Sequence, residues 1–88
     1  MTTMADGVQD DLEKIGATLR DARLQALLSQ SEVGQRAGVS RQLVSRIEQG
    51  LNGEITAYAA VAVALEYRLS VAPTGREPTG LDFTLDLT

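Results

Sequence analysis

The stretch "SQSEVGQRAGVSRQLVSRIEQG", Ser29 to Gly50, is helical in pattern nearly throughout, yet it holds two internal glycines, Gly34 and Gly38. Each costs a helix about 1 kcal/mol relative to alanine. Ser29 is a helix cap, and Glu32 three residues on completes a capping box. That helix should end near Ala37-Gly38. Ser40 caps the next one, roughly 40–49, which Gly50 and the following "LNG" stop.

Two short helices that cross steeply are joined by a turn of three or four residues. Such a turn needs a residue that tolerates positive φ, and Gly38 supplies it. At the crossing only a very small side chain fits, and Gly34 falls there. The positions that lock the two helices together, Val33, Ala37, Val39, Val44 and Ile47, are all apolar. Any helical hairpin can carry a turn glycine and a small residue at its crossing. The joint pattern of Gln30, Gly34, Gly38, the Val39-Ser40 step and the two lock residues after it points instead to a DNA-binding helix-turn-helix.

Outward from this stretch, residues 1–9 are polar and aperiodic and read as a disordered N-terminus. Leu12, Ile15, Leu19, Ala22 and Ala26 recur on one helical face, so a first helix is expected over roughly 10–27, with Asp10, Asp11 and Glu13 at its positive end. A fourth helix starts near Glu54. From Ala57 to Leu65 it is apolar on every side, so one face packs on the other helices and the other calls for a second copy. "YRLSVAP" then alternates, with Tyr67, Leu69 and Val71 on one side, as in a short strand ended by Pro73. "LDFTLDL" at 81–87 alternates too, beyond the linker "TGREPTG". The expected division is a disordered 1–9, a DNA-binding and dimerisation domain over 10–73, and a flexible acidic-apolar tail over 74–88.

Composition sets outer bounds. Eighty-eight residues allow one small domain, of a size at which a partner often helps stability. With no Trp and three aromatic residues, the core must be Leu, Ile, Val and Ala. The absence of Cys and His removes thiol and imidazole nucleophiles, disulfides and nearly every transition-metal site, so neither an enzyme nor a cofactor or metal is expected. No run is long enough to span a bilayer, and "MTTMADGVQDD" lacks the pattern of a signal peptide, so the expectation is cytoplasmic. The net charge is −4, but six basic and two acidic residues lie between Lys14 and Arg46, which makes that segment +4. The remaining two basic and ten acidic residues make the rest −8. A local basic patch is the relevant footprint for nucleic acid. Charge alone is equally consistent with Lys and Arg solvating helix surfaces.

"LSQSEVGQRAGVSRQLVSRIEQG" resembles the lambda-repressor-like, Cro/C1-type (XRE) helix-turn-helix family, and the resemblance covers Leu12 to about Leu65. It implies an all-α bundle of four helices followed by a short dimerising β-strand, and a buried ion pair between Arg23 and Glu48. Gly34 departs from it, since the family usually has alanine there. "LEYRLSVAP" resembles the HipB-type antitoxin branch, in which strands of two subunits pair.

In a helix-turn-helix the second helix of the motif, here the third of the chain, lies in the major groove with its N-terminal residues nearest the bases. Arg41, Gln42, Ser45 and Arg46 should then face DNA, Arg suiting guanine and Gln adenine, with Leu43 near a thymine methyl. Ser29, Gln30, Arg36 and Gln49 are placed for phosphate. The expected function is a dimeric repressor of double-stranded DNA with a near-palindromic operator, its dimer interface at Tyr67, Leu69 and Val71. The HipB-like segment implies an antitoxin that represses its own type II toxin-antitoxin operon. Leu81, Phe83, Leu85 and Leu87 would then contact a toxin protein, unless the tail is merely a solvating end. A protein–protein interaction module on the same scaffold, or a phage or restriction-controller regulator, are the alternatives.

Overall fold

The computed structural model describes residues 4–51 and 53–73, with side chains from Gly7 onward. Four helices run in order: α1 Met4–Gln25, α2 Gln30–Ala37, α3 Arg41–Glu48 and α4 Ile55–Ala64. α1, α2 and α4 all pack on α3, and α4 also closes over α1 and α2. The fold is all-α, as expected.

The two central helices begin as the serine caps dictate. The Ser29 hydroxyl accepts from the Glu32 amide at 3.0 Å, and Glu32 Oε1 accepts from the Ser29 amide at 2.9 Å, a complete capping box. The Ser40 hydroxyl accepts from the Leu43 amide at 3.0 Å. Gly38 has φ 76°, and a Cβ on Gly34 would lie 2.7 Å from the Val39 carbonyl oxygen. The turn and the packing slot are therefore where the two glycines were expected. Val33, Val44 and Ile47 are completely buried between the helices, with Ala37 and Val39 half-buried beside them.

All four helices end in the same way. A left-handed residue follows each last turn, and the next amide reaches back five residues: Leu28 to Arg23, Val39 to Gly34, Leu51 to Arg46 and Tyr67 to Ala62. This is the Schellman arrangement, which satisfies carbonyls that the helix leaves open. Gly38 and Gly50 fill it at two ends, but Leu27 (φ 60°) and Glu66 (φ 65°) fill it at the others.

Leu19, Val33, Val44, Ile47, Tyr58 and Val61 form the centre of the core. The largest buried side chain is Tyr58, so an aromatic ring stands where the composition suggested aliphatic residues alone. α4 matches its expected start, with Glu54 as its cap residue. Ala57, Tyr58, Val61 and Ala62 face inward, whereas Ile55 and Val63 are exposed.

Two expectations change. Residues 4–9 are helical, because α1 begins at Met4 instead of near residue 10. Gln9 Nε2 donates to the Gly50 carbonyl at 3.2 Å, a tertiary tie that no local pattern reveals. Asp10 and Asp11 consequently lie more than a turn inside the helix, beyond the reach of its positive end. The second change is at 67–73, where no strand forms among the described residues. A strand is defined by its ladder partner, and the described part of the chain offers none. The tail residues Leu81, Phe83, Leu85 and Leu87 lie outside the described residues. No described helix is long and apolar enough to cross a membrane.

Candidate nucleic-acid interface

α3 presents one side to the core and the other to solvent. Val44 and Ile47 are buried and Glu48 is nearly so, while Arg41, Gln42, Arg46 and Gln49 are exposed and Ser45 is half-buried. Residues 41, 42, 45, 46 and 49 are spaced one, three and four apart and share an arc. Four of the five expected base readers therefore lie along one side of α3.

Leu43 differs. It was expected in the exposed arc, but it is half-buried and packs against the core. Four residues before Ile47, it stacks on that residue's side of the helix. Only part of its side chain is open to a thymine methyl.

Arg41 is not a free side chain. Its Nη1 donates to Gln30 Oε1 at 3.3 Å, and Gln30 Nε2 donates to Glu48 Oε1 at 3.1 Å. Glu48 also accepts from Arg23 Nε at 2.6 Å and Nη2 at 3.1 Å, a two-pronged pair in which both residues are 9 % exposed. Arg23 Nη1 completes the set by donating to the Leu28 carbonyl at 2.9 Å. Side chains from α1, α2 and α3 thus connect the core to the N-terminal residue of α3. The family-like Arg23–Glu48 pair is present and does architectural duty, because a buried charge demands a partner.

The expected phosphate contacts separate into two groups. Ser29 is exposed at the α2 N-terminus, but its hydroxyl and amide are both used in the capping box. The Gln30 and Ser31 amides have no such partner. Gln49 Nε2 donates back to the Ser45 carbonyl and hydroxyl, each at 3.1 Å, which holds it beside the exposed arc. Arg46 Nη2 donates to the Leu51 carbonyl at 3.3 Å, fixing the guanidinium over the end of α3. Arg36 is not brought to this group; it lines a hollow between α2 and α4 with Thr56 and Val63.

The charge distribution sharpens accordingly. Glu48 neutralises Arg23 inside the core. The other five basic residues of the 14–46 segment, Lys14, Arg20, Arg36, Arg41 and Arg46, are exposed. Against Asp21 and Glu32 they leave the exposed side chains of that segment at +3, with Arg41 and Arg46 on the open side of α3 and Lys14 and Arg36 elsewhere. The Glu32 carboxyl is held below its usual 4.5, chiefly by the Ser29 amide, then by the Ser29 hydroxyl, with Arg36 nearby.

Two features of the site escaped the sequence. Gln30 was expected at phosphate, and its side-chain amide also bridges Glu48 and Arg41, a role the sequence did not suggest. Gly16 was given no role. A Cβ there would collide with the Ile47 carbonyl and come within 2.9 Å of the Glu48 carbonyl oxygen, so glycine lets α1 press on the end of α3. Its position inside an amphipathic helix was the available signal, the same one that singled out Gly34.

No curated protein sequence matches this chain. The family model of the helix-turn-helix domain matches residues 14–73, which span most of α1 and all of α2 to α4. The chain belongs to that helix-turn-helix family.

Proposed function

We propose that the protein is a dimeric, sequence-specific transcriptional regulator that reads double-stranded DNA through α3. The observation that carries this reading is the sidedness of α3. Arg41, Gln42, Ser45 and Arg46 occupy the arc opposite Val44 and Ile47, on the helix that a helix-turn-helix inserts into the major groove. Arg41 and Arg46 suit guanine O6/N7 and Gln42 suits adenine N6/N7. The open amides of Gln30 and Ser31 suit a phosphate at the α2 N-terminus.

A single small domain makes few phosphate contacts, so specific binding calls for two copies on half-sites about 34 Å apart. Exposed Val63 on α4, together with Tyr67 and almost fully exposed Val71, supports a second copy as the cover. Residues 67–71 of two copies, Tyr67, Leu69 and Val71 included, would then form the two-stranded ladder that one chain lacks. The narrower reading, an antitoxin that represses its own operon, is supported by the HipB-like "LEYRLSVAP" and the alternating tail. The cytoplasm is where such a regulator would work.

Selection of bound duplexes from a random pool tests the proposal. Enrichment of an inverted repeat with half-sites one helical turn apart is the expected result. An unenriched pool, or a single half-site, would contradict the dimeric reader.

A further inference from the structure

Between α1, the start of α4 and residues 67–72 lies a cleft of about 520 Å³. Its apolar wall is made by Ile15, Leu19, Ile55, Leu69 and Val71, and Asp11, Lys14 and Arg68 stand on its lining as well. The wall is left uncovered at the start of α4, where Ile55 is 71 % exposed. Neither Lys14 nor Arg68 pairs with an acidic side chain among the described residues.

We propose that this cleft is the docking site of the chain's own segment 81–87, folded back over residues 67–71 in cis. Three observations select this occupant. The first is connection. Residues 67–72 form one wall, and only "TGREPTG", residues 74–80, separates Pro73 from Leu81. Seven residues span at most about 25 Å, enough to reverse direction, and Gly75 and Gly80 ease the turn. So short a tether gives an effective concentration on the order of millimolar, at which even a weak intrinsic fit is occupied.

The second is pattern. Leu81, Phe83, Leu85 and Leu87 alternate with Asp82, Thr84 and Asp86, as Leu69 and Val71 alternate with Arg68 and Ser70. Antiparallel pairing of the two segments would gather Leu69 and Val71 with the segment's four apolar residues on one face of the ladder and the polar residues on the other. The third is charge: the cleft lining carries Lys14 and Arg68 against a single acid, Asp11, and the segment brings Asp82 and Asp86 to it. Pairing of this kind uses one edge of 67–71 and leaves the other edge for a second copy. A partner protein that took the same four apolar side chains would have to displace the segment from the cleft.

The chain has no cysteine, so Thr84→Cys in the full-length protein accepts a single nitroxide on the outward face. In the ¹⁵N-labelled chain, amides 14–18, Ile55 and 69–72 should lose most of their signal intensity, while the α2 amides stay sharp. Adding Phe83→Ser and Leu85→Ser should restore the lost signals. Unchanged intensity at 14–18 and 69–72 in the spin-labelled protein would overturn the proposal. So would broadening at 14–18 that is as deep when spin-labelled ¹⁴N chains are mixed with unlabelled ¹⁵N chains as within one labelled chain, which assigns the segment to a second copy. Binding of a partner alone, with no broadening in the isolated chain, would overturn it too.

Discussion

Glu48 shows how closely structure and readout are joined at single residues. One carboxylate holds Arg23 of α1 and, through Gln30 of α2, the guanidinium of Arg41. Glu48→Ala leaves the Arg23 charge buried without its partner and should cost about 3–5 kcal/mol, read from urea denaturation. Gln30→Ala is exposed to a gentler outcome. It should change stability by about 1 kcal/mol yet weaken DNA binding, because Arg41 loses the group that aims it. At the helix ends, Leu27 and Glu66 hold left-handed conformations that suit glycine. Leu27→Gly removes a side chain already 90 % exposed, so it should stabilise the fold by about 0.5–1 kcal/mol, raising the melting temperature. Of the residues proposed to read DNA, the placing of Arg41, Gln42, Ser45 and Arg46 on the exposed side of α3 was legible from spacing alone. Leu43 was not, because an edge position on a helix is decided by the neighbour that packs there. Gln30 was not, because its two partners lie 11 and 18 residues away in sequence.

Among the elements, α2 is the one most dependent on local chemistry. It has eight residues, too few to be stable alone, and its capping box satisfies amides that would otherwise be open. Ser29→Ala should cost about 1 kcal/mol. Glu32 adds a pH dependence of known sign. Because its folded pKa is lowered, its contribution is present above the ordinary value of 4.5 and is lost as pH falls through and below it. Urea midpoints measured downward from about pH 6 should therefore fall less steeply for Glu32→Gln than for the wild type. The α2–turn–α3 unit was readable in the sequence because caps, turn and crossing are all local signals. The start of α1 was not, since residues 4–9 show no apolar period, and the contact of Gln9 with Gly50 joins residues 41 apart in sequence. The alternation at 67–71 was read as a strand, but alternation shows only which side chains could share a face. The ladder partner comes from elsewhere.

For the whole molecule, the net charge of −4 conceals a charge that is uneven along the sequence. Removing Arg23 from the count leaves five exposed basic residues on the segment that carries α2 and α3, while acids dominate the rest. Among the exposed apolar residues are Ile55 and Val63 on α4 and Tyr67 and Val71 after it. Val71→Asp leaves the core intact, so helicity should be retained while sedimentation shifts from dimer toward monomer. The central claim is that α3 reads DNA, and one measurement addresses it most directly. The wild type and an Arg41→Ala/Arg46→Ala variant would be titrated with the selected duplex across a salt series. The account predicts wild-type binding that weakens steeply with salt, as counterion release requires. The variant should lose affinity by at least the about 1–3 kcal/mol of one base contact while remaining folded. Equal binding by the two proteins, or wild-type binding indifferent to salt, would contradict it.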